Sequence, residues 1–166
     1  MSASRKRYPL QQLLQLRAHR TERARLVVVE KQRAVRECRQ ACERIAAEIE
    51  ALRREQAGQR LRMMAPPPPG IPFPLALEQR EAHIDWLGEQ EQAAVLRLQQ
   101  ARQQLQQAEQ ALAEAMQAYV RAKAREDALL QRRQRWRGEL AALELRQEED
   151  LAADLVQAAH MARSRH

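Results

Sequence analysis

One stretch decides the fold: APPPPGIPFP, residues 65–74, which holds six of the seven prolines in the chain. Proline lacks a backbone N–H and its ring clashes with the preceding helical turn, so no helix can run through this stretch. The seventh proline, Pro9, lies where a helix would begin, and proline is well accepted in a first helical turn. The sequence therefore predicts two helices separated by a stiff loop.

The composition on either side of the loop is typical of long helices. Of the 166 residues, 31% are charged and only 3% are aromatic, and Ala, Leu, Glu, Gln and Arg dominate, as they do in coiled coils. So few aromatic side chains leave little bulk for a globular core. We predict a basic N-terminal tail over 1–8, helix one over 9–63, the proline-rich loop over 64–75 and helix two over 76–163.

Both predicted helices carry apolar residues at heptad spacing. Steps that alternate between three and four residues place such side chains along one helix face, where a partner helix can cover them. The predicted coiled-coil seam comprises Leu14, Val28, Val35, Cys38, Cys42, Ile45, Ile49 and Leu52 in helix one, and Leu98, Leu105, Leu112, Tyr119 and Leu129 in helix two.

Two long seams joined by a short loop should fold back on each other, so we predict an all-α fold, a long antiparallel two-helix coiled coil. In an antiparallel pair, facing residue numbers have a constant sum. A sum of 143 sets Ile49 against Ala94, so that large side chains meet small ones. The same register sets Arg17 against Glu126, which would pair two charges at the seam.

This register makes helix two overhang helix one from about residue 134. The overhang carries Trp136, Leu140, Leu143, Leu151 and Leu155 with no partner expected in the same chain. An apolar stripe without a mate indicates an interaction surface. A protein partner is the first interpretation, and weak homo-oligomerisation through the same stripe is the alternative.

The charge is uneven along the chain. Residues 1–40 hold eleven Lys or Arg against three acids, residues 121–137 hold seven against two, and residues 139–154 are acidic. Basic patches attract nucleic acid. The basic residues are interleaved with the seam, however, and a hairpin loop follows them, which disfavours the layout of a bZIP protein. We expect no specific nucleic-acid partner.

No arrangement of residues points to catalysis. The four histidines are scattered, and neither a glycine-rich phosphate loop nor a GxSxG motif occurs. Cys38 and Cys42 lack nearby ligands for a tetrahedral zinc site, and free cysteine usually packs as a small apolar residue. We therefore expect no enzyme activity, no cofactor and no catalytic or metal-binding residue.

No apolar run approaches the ~20 residues of a membrane-spanning helix, and no apolar segment follows Arg5, Lys6 and Arg7 as in a secretory signal. The cytoplasm is therefore the expected compartment.

The N-terminal stretch YPLQQLLQLR, residues 8–17, followed by Arg20, Arg23 and Ala24, resembles the opening of the type III secretion stalk proteins, the YscO/FliJ family. The length, the central break and the Gln/Arg/Ala-rich heptads agree in form. The proline-rich loop departs from the family pattern, so loop contacts are not carried over.

The resemblance implies a non-enzymatic stalk, similar in shape to the rotary γ subunit of F-type ATPases. Its implied partners are a hexameric secretion ATPase, a membrane export gate and, in addition, secretion chaperones. Its implied place is cytoplasmic and peripheral, at the inner-membrane secretion apparatus. We expect partner contacts from Leu13, Leu16, Arg20, Arg23, Trp136, Leu140, Leu143, Leu151 and Leu155. The alternatives are a generic coiled-coil adaptor or chaperone-like protein and, less favoured, a basic nucleic-acid or membrane-surface binder.

Overall fold

The computed structural model describes residues 7–164 and contains two α-helices, α1 over Gln11–Leu61 and α2 over Phe73–Arg163. Side chains of the two helices pack against each other, and no strand occurs within the described residues. The all-α helical hairpin predicted from the sequence is confirmed. Most of the predicted basic tail, residues 1–6, lies outside the described residues.

Three of the four helix ends differ from the predicted ones by two or three residues, and α2 ends at Arg163 as predicted. α1 begins at Gln11, after a turn in which the Gln11 N–H donates to the Tyr8 carbonyl at 3.1 Å, and Pro9 lies within that turn. α2 begins at Phe73, three residues early, because Pro74 occupies a first helical turn, where no backbone N–H is needed. The first α2 bond runs from the Ala76 N–H to the Pro72 carbonyl at 3.0 Å.

The chain divides into two compact units. The loop unit comprises Leu26–Met116, and the terminal unit comprises Met1–Arg25 with Gln117–His166. In the loop unit, the core is a cluster of Ile49, Ala94 and Leu98, with Cys42, Ile45, Leu52 and Val95 packed around it. Ala94 is fully buried. Ile49 and Ala94, which the register sum of 143 sets opposite each other, therefore lie in one cluster.

Ion pairs join the two helices along the flanks of the loop unit. Arg97 donates to Glu48, with Nη2 at 2.7 Å from Oε1, and Arg53 Nε lies 2.7 Å from Glu91 Oε1. The side chains of these pairs are about half exposed, except Glu91 at 22%, so solvent screens both pairs and each adds little to stability. They show which residues of the two helices are neighbours in the loop unit.

The proline-rich loop is attached to α2 by one arginine. Arg80 Nη1 donates to the carbonyl oxygens of Met63 at 2.7 Å and Ala65 at 2.8 Å. These carbonyls follow the end of α1, where helical hydrogen bonds are no longer available. Gly70, with a φ of +86°, lets the chain turn in a conformation that other residues rarely adopt.

In the terminal unit, the buried line of the two helices is marked by Leu14, Thr21 and Leu129, each less than a tenth exposed. The Thr21 hydroxyl donates to the Arg17 carbonyl at 3.0 Å, which satisfies a polar group in this narrow seam. Neither described helix contains a segment long and apolar enough to cross a membrane.

Candidate protein-binding surfaces

The seam residues predicted from the sequence are buried or half-buried in the structure. Leu14, Val35, Ile49, Leu98 and Leu129 are buried. The remaining predicted seam residues are half-buried: Val28, Cys38, Cys42, Ile45, Leu52, Leu105, Leu112 and Tyr119. Both cysteines are free thiols, and the described residues contain no group of three His, Cys, Asp or Glu that could hold a metal ion.

An aromatic contact closes the terminal unit. The rings of Tyr8 and Trp136 lie 5.6 Å apart between centroids, tilted by 55°, in the geometry that aromatic pairs favour. The prediction that Trp136 lacks a partner in its own chain is therefore wrong. The error arose because Tyr8 precedes α1 and so falls outside the heptad pattern that set the predicted boundary at about 134.

A cleft of about 760 Å³ surrounds this pair. We call it the N-terminal cleft; its lining includes Arg7, Tyr8, Gln12, Arg133, Trp136 and Arg137. The Tyr8 hydroxyl oxygen is shielded from solvent and has no hydrogen-bond partner among the described residues. The cleft therefore combines aromatic walls, three guanidinium groups and an unused hydroxyl.

The predicted ion pair of Arg17 and Glu126 is absent from the ion pairs between described residues. Arg17 instead lines a small cleft with Arg125 and Arg132. Glu126 acts on Lys123, whose pKa is raised mainly by a hydrogen bond to Asp127 and further by the charges of Asp127 and Glu126. Both predicted partners are half-exposed, so water can solvate each charge.

The α1 residues predicted to contact partners lie at the surface of the terminal unit. Leu13 and Leu16 are about two-fifths exposed, and Arg20 and Arg23 are exposed. Close by, Arg25 forms an ion pair with Glu22 at 2.7 Å. The hydrogen bond from Arg25 lowers the pKa of Glu22, so one acidic group of this surface is already matched by a cation.

Beyond Leu140, α2 continues without a partner from the described part of the chain. Leu140 is half-buried, and every described residue from 141 to 164 is exposed. We call residues 141–163 the C-terminal overhang. Of the predicted contact residues, Leu143, Leu151 and Leu155 are 52%, 63% and 72% exposed. The unpartnered segment thus starts about six residues later than the sequence predicts.

The overhang displays further apolar side chains that the seam spacing did not include. Leu145, Val156 and Met161 are all more than half exposed. Val156 lines a shallow apolar groove with Ala152 and Ala153. Together with Leu151 and Leu155 they form a face wider than a single heptad seam. Counting apolar residues on neighbouring helix positions, instead of one seam alone, would have found them.

The loop unit carries an exposed aromatic pair that sequence reasoning missed. His83 and Trp86 stack with centroids 5.8 Å apart and an interplanar angle of 16°, and Trp86 is 51% exposed. Phe73 and Leu75 are also exposed near the start of α2. Ile84 and Leu87 are three residues apart and both buried, as heptad spacing requires. Trp86 lies between them and so points away from the seam, which the sequence could have indicated.

Comparison with known structures supports the architecture. The solved structure of a chain described as a YscO homolog, from Chlamydia trachomatis, is similar with a TM-score of 0.74 and 20% sequence identity. The match covers 96% of this chain and 98% of that one. At this identity the likeness shows a shared fold.

A search among curated proteins finds no match of significance. The family model described as YscO-like protein matches residues 5–166, which include both helices, the proline-rich loop and the C-terminal overhang. The chain therefore belongs to the YscO-like protein family.

Proposed function

We propose that this chain is the central stalk of a type III protein secretion apparatus. In this role it binds the hexameric secretion ATPase and links it to the membrane export gate, and it also contacts secretion chaperones. The carrying observation is the C-terminal overhang, more than twenty residues of helix on which every described side chain is exposed. An apolar helix face of this kind is stabilised by a partner protein.

Shape and charge support the stalk role. A helical hairpin is only two helices wide, each about 10–12 Å across with side chains, so it can enter the lumen of a protein ring. Next to the overhang, residues 121–137 are strongly basic. Such a charge would steer the stalk towards an acidic lumen and would mainly raise the association rate. A peripheral position at the inner membrane follows from this proposal.

The overhang can be tested with a double substitution, Leu151→Ala with Leu155→Ala. Both side chains are exposed, so helix content and melting temperature should stay unchanged, whereas retention of the cognate ATPase in a pull-down should fall at least tenfold. Buried apolar anchors in interfaces are often worth ~2 kcal/mol or more. The matched control is Gln147→Ala, which alters an exposed polar residue of the same segment outside that groove. Normal ATPase capture by the leucine variant would refute the proposed role of the overhang.

A second candidate function is a coiled-coil adaptor that binds through the loop unit. The exposed His83–Trp86 pair favours it, because stacked aromatic residues at a surface are common interface anchors. In that case Trp86→Ala would abolish partner capture from the native host, and the double leucine variant would capture the same partners as the unaltered chain.

A further inference from the structure

The N-terminal cleft contains cations without matching anions. Arg7, Arg133 and Arg137 line it, and none of them belongs to an ion pair between described residues. Like charges gathered in one cleft repel each other, and a bound anionic group would offset that repulsion. Planar guanidinium groups are also well shaped to bind a carboxylate through two parallel hydrogen bonds.

The start of α1 adds positive potential to the same cleft. Gln11 and Gln12 are lining residues; the Gln11 N–H already donates to the Tyr8 carbonyl, so the contribution of this helix end is its potential. The aligned peptide dipoles place a partial positive charge at this end. The first turn of α1 contains no acidic residue to offset it.

The Tyr8 hydroxyl specifies the kind of group that would complete the cleft. It is shielded from solvent and lacks a hydrogen-bond partner among the described residues, an arrangement that costs free energy. A carboxylate oxygen accepts hydrogen bonds and donates none. A carboxylate bound by the arginines would therefore also accept from the Tyr8 hydroxyl when the side chains that shield this oxygen move aside.

We infer that the N-terminal cleft binds the carboxylate side chains of a short acidic peptide segment on a partner protein. The cleft volume of about 760 Å³ lies within the range of ordinary ligand pockets. The Tyr8 and Trp136 rings provide walls for an apolar neighbour of the acidic residues. The inference deepens the proposed function and rests on it only for the identity of the partner, since the binding chemistry belongs to the cleft itself.

The charge that follows the cleft favours a peptide over a nucleic acid. Two residues after Arg137, α2 becomes acidic, with Glu139, Glu144, Glu148, Glu149, Asp150 and Asp154. A polyphosphate strand that left the cleft along α2 would run beside these carboxylates and be repelled. A short acidic segment can lie between the arginines without reaching the carboxylates of α2.

The binding can be followed through Trp136. In a Trp86→Phe background, Trp136 is the remaining tryptophan, and its fluorescence should change saturably when the synthetic peptide acetyl-Glu-Leu-Glu-Glu-Leu-amide is added. Arg133→Gln and Arg137→Gln should each weaken binding at least fivefold. Arg137 is exposed, so its substitution leaves folding intact. Arg102→Gln, an equal charge change at an exposed site of the loop unit, should leave the affinity unchanged.

Tyr8→Phe separates a binding role of the hydroxyl from a structural one. Because the hydroxyl has no hydrogen-bond partner among residues 7–164, its removal should leave the melting temperature equal or higher. The same change should weaken peptide binding severalfold. A lower melting temperature with unchanged peptide affinity would overturn the assignment of the hydroxyl to the ligand.

Four results would overturn the inference as a whole. They are the absence of a saturable response, an affinity in both arginine variants equal to that of the unaltered chain, tighter binding of a single-stranded oligonucleotide of matched charge, and a dimer in sedimentation that Arg137→Gln dissociates. The last result would mean that the acidic overhang of a second copy fills the cleft. Normal ATPase capture without peptide binding would refute the cleft alone, and peptide binding without ATPase capture would refute the proposed function alone.

Discussion

Arg97 of α2 donates two hydrogen bonds to the carboxylate of Glu48 in α1, from Nη2 at 2.7 Å and from Nη1 at 3.1 Å. The pair links the helices a short distance from the buried cluster of Ile49 and Ala94. The hydrogen bonds that Arg97 donates are the main cause of the lowered pKa of Glu48.

The first prediction concerns this carboxylate. Arg97→Gln should return the pKa of Glu48 towards its ordinary value of 4.5, as measured by NMR titration of side-chain carboxyl carbons. Because the folded-state pKa is lowered, the pair stabilises the fold above the unfolded pKa, and the contribution is lost as pH falls through the folded pKa. Arg102→Gln serves as the control, and an identical Glu48 titration in both variants would contradict the pairing.

The second prediction tests close packing in the loop unit. Ala94 is fully buried beside Ile49, and Ala93 next to it is exposed. Ala94→Leu should therefore overpack the interface and lower the free energy of unfolding by about 1–3 kcal/mol. Ala93→Leu should be nearly silent in the same thermal melt followed by circular dichroism. Equal effects from the two substitutions would exclude the observed register.

The third prediction concerns the attachment of the proline-rich loop. Arg80→Gln removes the donors to the carbonyls of Met63 and Ala65. Hydrogen bonds to a charged group contribute ~1.5–3 kcal/mol when buried, so a loss of about 1 kcal/mol is expected at this partly exposed site. Limited proteolysis near residue 65 should become faster. Arg102→Gln should leave both measurements unchanged, and resistance of the loop in Arg80→Gln would show that the prolines alone hold it.

The fourth prediction compares two glycines inside α2. A Cβ at Gly138 would meet no atom within 4 Å, whereas one at Gly88 would lie 3.2 Å from Gln56 Nε2. Gly138→Ala should raise the stability by up to ~1 kcal/mol, the gain in helix propensity. Gly88→Ala should gain less, because Gln56 must move away from its bond to the Ile84 carbonyl. Urea unfolding of both variants decides between these expectations, and a larger gain at Gly88 would contradict them.

The fifth prediction locates the start of the overhang. Truncation after Leu140 should leave the melting temperature nearly unchanged, because the residues removed are exposed. Truncation after Gln134 also removes Trp136 and its contact with Tyr8, and should lower the melting temperature by several degrees. Equal melting of the two truncated chains would restore the boundary predicted from the sequence.

The hairpin could be predicted because apolar residues repeat at regular spacing along both helices. Six prolines mark the loop, and the heptad spacing places Ile49 and Ala94 on facing sides without reference to any other contact. The Arg80 attachment could not be predicted, since its acceptors are backbone carbonyls, which leave no trace in residue type. The Tyr8–Trp136 contact escaped for a related reason: it joins a residue outside α1 to a helix position, and heptad counting describes only residues inside helices.

The expected pair of Arg17 and Glu126 failed for a different physical reason. Register arithmetic gives the level of a residue along the hairpin, but long charged side chains choose among neighbours on the helix surface. Arg17 lies beside Arg125 and Arg132, and Glu126 adds to the field at Lys123. Two residues at the same position along the hairpin can therefore be predicted to make an apolar contact, but not to form an ion pair.

The attachment of the loop by Arg80 also bears on how the chain folds. Arg80 and Met63 are separated by only 17 residues, so their contact closes a short segment at a small cost in chain entropy. Once this contact has formed, each neighbouring pair of facing residues in the loop unit closes only a slightly longer segment. We therefore expect the loop unit to fold outward from the proline-rich loop. Tyr8 and Trp136 are far apart along the chain, so their contact closes a much longer segment at a larger cost in chain entropy. A partner bound in the N-terminal cleft would hold these two residues together.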